Sequence, residues 1–167
     1  ERNSALYYKF VGSDVDHLSE SKDEQETISL GLKWIGYKNQ FFSSALIPDG
    51  KFNGALIRSG MNNDPAYLKN FHTETTVDYN PADNNGPGFR FYLGPNLYPL
   101  LHSYDKGVDD DKALDLDKLV PLGFKFFRWI NTWIIIPIFT FLGKYIANYG
   151  IIILLMTIII KIFLAPL

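Results

Sequence analysis

Chemistry in this sequence has few places to reside: three histidines, an acidic triplet, a Gly-Pro-Gly turn and one lysine inside an apolar run. His17, His72 and His102 sit at no metal-ligand spacing. His72 and Glu74 are two apart on a segment that reads as strand, so they share one face and form the one acid–base pair the spacing offers. Solvated polar residues are the preferred reading of the pair. Asp109-Asp-Asp111 has carboxylates for a cation but lacks the glycine and distal glutamate of a calcium loop. It reads as a solvated stretch. Gly86-Pro-Gly88 lacks the Lys-Ser/Thr that holds phosphate and magnesium. There is no cysteine, which excludes a disulfide scaffold, a thiolate zinc site and a cysteine nucleophile. No cofactor and no metal are expected. Lys161 is different, because it lies in a run with no other charge nearby.

The elements that position these residues fall into two compositions. The 167 residues carry a net charge of -2, which gives no electrostatic reason for nucleic acid as a partner. All 18 acidic residues precede residue 121, with 12 of the 16 basic ones. Beyond that point stand only Lys125, Arg128, Lys144 and Lys161. The first part is composed for water and the last quarter for lipid. The chain begins at Glu and stops inside an apolar stretch, so it reads as an internal piece of a longer protein.

Residues 1–105 read as mainly β. Leu6 to Val11, Ala55 to Arg58, Thr73 to Tyr79 and Phe89 to Leu93 are strand candidates separated by turn signals such as Pro48-Asp-Gly50. Their spacing predicts a sandwich. Ser13 to Glu26 reads as an acidic surface loop, and Asn96 to Tyr104 as a short helix. Residues 106–120 read as a linker leading to Pro121, which suits a helix start.

From Leu122 the period becomes helical. Lys125, Arg128 and Thr132 fall in one narrow arc, with Phe124, Phe126, Phe127, Ile130 and Trp133 away from it. Basic stripe opposite aromatic bulk is the pattern of a helix lying in a membrane interface, here 121–147. Pro137 should break or kink it, and Asn148-Tyr-Gly150 reads as a turn. From 149 to 167, about 19 residues give near 28 Å of helix, close to the ~30 Å hydrocarbon thickness. Residues 148–167 are therefore expected to form a transmembrane helix. Lys161 lies ~18 Å along it. On spacing alone it either snorkels to the far interface or faces a wet cavity.

The ordered set Phe124-Lys-Phe-Phe-Arg-Trp-Ile130, Asn148-Tyr-Gly150, an isoleucine-rich run and Lys161-Ile-Phe-Leu-Ala-Pro-Leu167 resembles the YidC/Oxa/Alb family of membrane protein insertases. Trp34 to Phe42, Ala45 to Pro48 and Tyr92-Leu-Gly-Pro95 resemble the later half of the family's large periplasmic domain. The resemblance implies a β-supersandwich, an interfacial amphipathic helix and a second transmembrane helix. It implies a bacterial inner-membrane protein with residues 1–120 on the periplasmic side. Lys161 falls where the family carries a basic groove residue, usually Arg, that attracts polar parts of incoming substrates. Lys125 and Arg128 would contact lipid phosphates, and Phe127, Trp129 and Trp133 would anchor the interface. Nascent membrane proteins and the lipid bilayer are the implied partners. The Sec translocon and the ribosome would be reached through parts outside this sequence. No catalytic activity is implied. Two rivals stand beside it. One is an anchored β-sandwich binding carbohydrate or peptide on Tyr79, Phe89 and Tyr92. The other is an anchored enzyme using His72.

Overall fold

The first strand shows where the β unit is most deeply buried. Ala5–Phe10 (β1) is buried at every position but the last, so both of its faces meet apolar partners. The computed structural model describes residues 4–64, 66–82, 86–122 and 130–164. They form two units, residues 1–120 and 121–167.

The first unit is mostly β. Val15–His17 (β2), Glu24–Ile28 (β3), Leu32–Lys38 (β4), Phe42–Pro48 (β5), Phe52–Met61 (β6), Lys69–Val77 (β7) and Phe89–Pro95 (β8) complete an eight-stranded antiparallel sheet. One path runs β2-β1-β4-β5-β8. An arm of β3, β6 and β7 joins it where Leu32 of β4 pairs with Phe52 of β6. Leu6, Tyr8 and Ile35 from the path meet Ile28, Phe52 and Ile57 from the arm in one core. The opposite face of the path buries Tyr7, Trp34, Ala45, Ile47 and Tyr92. Gly54, at φ +145°, is required where β6 meets β3: a Cβ there would stand 2.5 Å from the Ile28 carbonyl oxygen.

Several expectations change. Ser13 to Glu26 is not one loop. It contains β2 and the start of β3, whose exposed polar residues pair as sheet edges. The short helix is present as Tyr98–Ser103 (α1), with Leu101 fully buried. Residues 106–120 are not a spacer. They strap across the Trp34 face, and a 3₁₀ turn at Leu116–Leu119 buries both of its leucines. The strap is fastened at several points. Trp34 Nε1 donates to the Leu114 carbonyl (2.6 Å), and Lys33 Nζ to the carbonyls of Asp111 (2.6 Å) and Ala113 (3.0 Å). The buried Lys9 ammonium pairs with Asp115. Asp105 accepts the backbone N–H groups of Leu114 and Asp115, both at 2.6 Å. These anchors hold Asp115 in a left-handed conformation, φ 53°, which aspartate tolerates better than most residues.

The second unit is helical where described. A π-helical turn, Asn131–Ile135, leads into Ile136–Gly143 (α2). Pro137 has no N–H to give and its ring crowds the turn before it; the widened turn, in which the Ile136 N–H reaches the Asn131 carbonyl, absorbs that mismatch. The proline thus modulates the helix rather than ending it. Asn148 caps Tyr149–Leu164 (α3), its side-chain oxygen accepting the Gly150 N–H at 2.9 Å. Tyr149 and Gly150 are therefore helical, and the turn is 144–148. The Tyr149 ring stacks on Phe139 of α2 at 5.9 Å.

Candidate functional site

The helix α3 is built from Ile, Leu and Met with two polar side chains within it, Thr157 and Lys161. At 100° per residue, positions four apart lie one above the other. Thr157 and Lys161 therefore share a face, continued by Leu154 and Gly150. Both polar residues are exposed, while Ile152 and Met156, about half a turn away, are buried. Thr157 satisfies its own hydroxyl by donating to the Ile153 carbonyl (2.8 Å). It offers its remaining lone pairs, and Lys161 its three donors, to whatever lies along this face. The rest of the helix surface is apolar: Ile151, Ile153, Leu154, Ile158 and Ile162 are exposed. A helix exposing apolar side chains nearly all round is made for an apolar surrounding or for other helices.

α3 has 16 residues, about 24 Å of rise. Among the described residues no helix is long and apolar enough to cross a membrane. The last three positions of the expected span, 165–167, lie outside the described residues. So do Lys125, Phe127, Arg128 and Trp129 of the expected interfacial set. Trp133, the remaining member, is exposed in the π turn before Pro137.

The other candidates settle as structure. His72 and Glu74 bond at 2.8 Å on exposed β7, and that bond holds the Glu74 carboxyl below its ordinary range. His17 stacks on Tyr7, and His102 reaches Asp117 at 3.3 Å, so the histidines do not converge. Asp109 pairs with Lys112 (3.4 Å) on the surface. Carboxylates of Asp105, Asp115 and Asp117 do gather, but backbone amides, Lys9, Lys118 and His102 already engage them. The aromatic platform does not assemble as one surface. Tyr92 points into the core and donates to the Pro95 carbonyl (2.7 Å), Phe89 is exposed but stacks on Phe52, and Tyr79 is exposed. In its place the sheet exposes Phe41, Phe42, Phe91 and Leu93, a set hidden in the sequence because alternation does not say which face meets water.

A mostly β unit followed by apolar helices, one of them carrying an exposed lysine, is the arrangement to set beside known periplasmic-domain proteins. The profile of the YidC periplasmic domain matches residues 3–140, and the chain belongs to that family. It is 49% identical over 167 residues to the membrane protein insertase YidC of Parabacteroides distasonis, covering 100% of this chain and 26% of that protein. Identity to the insertase of Azobacteroides pseudotrichonymphae is 47% over 169 residues, covering 100% and 28%. For Porphyromonas gingivalis it is 42% over 166 residues, covering 98% and 26%. The chain thus spans about a quarter of the length of the curated relatives it matches.

Proposed function

We propose that this chain is part of a membrane protein insertase of the bacterial inner membrane. Residues 1–120 lie on the periplasmic side. Residues 148–167 cross the bilayer as one helix, and 121–147 run along the interface. There Lys125 and Arg128 meet lipid phosphates, while Phe127, Trp129 and Trp133 sit among acyl chains. The observation that carries the reading is the exposed Thr157–Lys161 stripe on an otherwise apolar helix. A cation at membrane depth is costly unless it faces water or a partner charge. A groove wetted along this stripe would keep Lys161 ionised and would shorten the apolar barrier for a polar substrate segment.

The action needs no covalent step. An acidic stretch of a nascent membrane protein enters the groove and is attracted by Lys161, more strongly there than in bulk water. Its hydrophobic segment then leaves along the apolar helix face, driven by burial in lipid. The Sec translocon and the ribosome would engage other parts of the polypeptide.

Proteoliposomes carrying the full-length protein test this. With substrates bearing acidic translocated tails, Lys161→Ala is expected to lower insertion several-fold. Lys161→Arg, which keeps the charge, is expected to retain it. Insertion by the alanine variant at the wild-type rate would refute the groove assignment.

A further inference from the structure

The helical unit holds cations and no acid to answer them. Residues 121–167 contain Lys125, Arg128, Lys144 and Lys161, and neither Asp nor Glu. The proposed function uses three of these; Lys144 is left, exposed at the C-terminal cap of α2. One turn before it stands Thr140, also exposed. The two are four apart, so their side chains lie on one face. Thr157 turns its hydroxyl back onto its own helix. Thr140 does not: among the described residues neither its hydroxyl nor the Lys144 ammonium has a partner. Phe141 and Tyr145, exposed and with ring centroids 5.3 Å apart, stand beside them.

The π turn aligns this face with the earlier part of the segment. On an unbroken α-helix Thr132, Thr140 and Lys144 would spread over about 120°. The wider turn at Asn131–Ile135 takes up part of one residue's rotation, which draws Thr140 and Lys144 back over Thr132. Thr132 belongs to the arc of Lys125 and Arg128 in the helical pattern of the sequence. The polar stripe is thereby carried past Pro137 rather than wound away from it.

We propose that Thr140 and Lys144 bind the phosphate of an anionic phospholipid headgroup. This rests on the interfacial placement of 121–147 and adds a lipid preference to it. A hydroxyl and an ammonium one turn apart both donate to phosphate oxygens. Charge selects the lipid class. With no carboxylate side chain in the unit, the ammonium finds its counter-charge outside it, and a zwitterionic headgroup brings a cation of its own. The exposed rings select a lipid over a free phosphate ion, because they offer acyl chains an apolar flank beside the donors.

The test uses the full-length protein in phosphatidylcholine vesicles, with a small fluorophore on a single cysteine in the turn (Ala147→Cys). Brominated phosphatidylglycerol and brominated phosphatidylcholine serve in turn as quenchers at equal mole fraction. The anionic lipid is expected to associate with the labelled site about fivefold more strongly than the zwitterionic one. Lys144→Gln should bring that ratio close to one, Lys144→Arg should keep it, and Thr140→Ala should lower it about twofold. Inorganic phosphate, compared with chloride at matched ionic strength, should leave it unchanged. Equal quenching by the two lipids in the parent protein, or a ratio that survives Lys144→Gln, would overturn the site and leave the interfacial placement standing. Displacement by inorganic phosphate would overturn the lipid as its ligand. Absence of quenching by either lipid would overturn the site and the interfacial placement together.

Discussion

The two units treat the same residue types in opposite ways. In the β unit the core side chains Trp34, Tyr8 and Phe52 are at most 2% exposed. In the helical unit Ile151, Ile153, Leu154 and Ile162 are more than half exposed, and among the described residues only Ile152 and Met156 are buried. Among the described residues no buried side-chain nitrogen or oxygen lacks a partner. The β unit achieves this with dense polar fastening, and the helical unit by carrying few polar side chains. Burial in the first case is driven by water. In the second, exposure carries no such penalty if the surroundings are themselves apolar, as the insertase reading requires.

Substitution can break this contrast directly. Trp34→Ala removes a fully buried ring and the donor to Leu114, and should cost the β unit about 3–5 kcal/mol. Ile153→Ala on α3 should cost under about 0.5 kcal/mol in the same protein. Urea unfolding of the detergent-solubilised full-length protein, followed by far-ultraviolet circular dichroism, reads both. Equal costs would mean that both units are built around interiors of the same kind.

A somewhat smaller effect probes the fastening. Asp115→Asn keeps a residue that accepts the left-handed backbone but leaves the Lys9 ammonium buried without its counter-charge. A loss of about 3 kcal/mol is expected. Adding Lys9→Met should recover part of it in the same urea measurement. If the double variant is as unstable as the single, the strap is held by its carbonyl contacts and not by the ion pair.

The smallest effect is one of pH. Burial, assisted by the charge of Glu20, pushes the Tyr7 phenol from its ordinary 10.0 up to about 12. The folded state therefore holds the proton more tightly than the unfolded chain. This contribution is complete below pH 10 and is lost as the pH rises towards 12. Tyr8, also raised by burial and by its bond to Glu26, adds to the same trend. The urea midpoint of the β unit should fall over that window, and Tyr7→Phe should shallow the fall. An unchanged slope would place the phenol in water.

How much of this was legible depended on which residues had a contrast to display. Four strands and the short helix stood out because turn signals bounded them. β4 and β5 did not. β4 is buried on both faces and shows no alternation, and the Ser43-Ser44 pair interrupts β5. β2 and β3 were masked by their acids, since an edge strand is free to be polar. Leu114, Leu116 and Leu119 looked isolated among charges, so the strap read as a linker. At the site, Lys161 was visible as a lone charge in an apolar run. Its partner Thr157 needed only the i,i+4 rule and was passed over.

The strap also decides how the β unit carries a load. A pull on Val120 does not peel one strand from the edge of the sheet. It reaches Lys9 on β1 and both Lys33 and Trp34 on β4, which are hydrogen-bonded neighbours inside the sheet. Bonds arranged this way share the tension, and they must fail together before the first strand moves. The end of the unit is thus clamped to its most buried part, and a tug along the chain meets a block, not a thread.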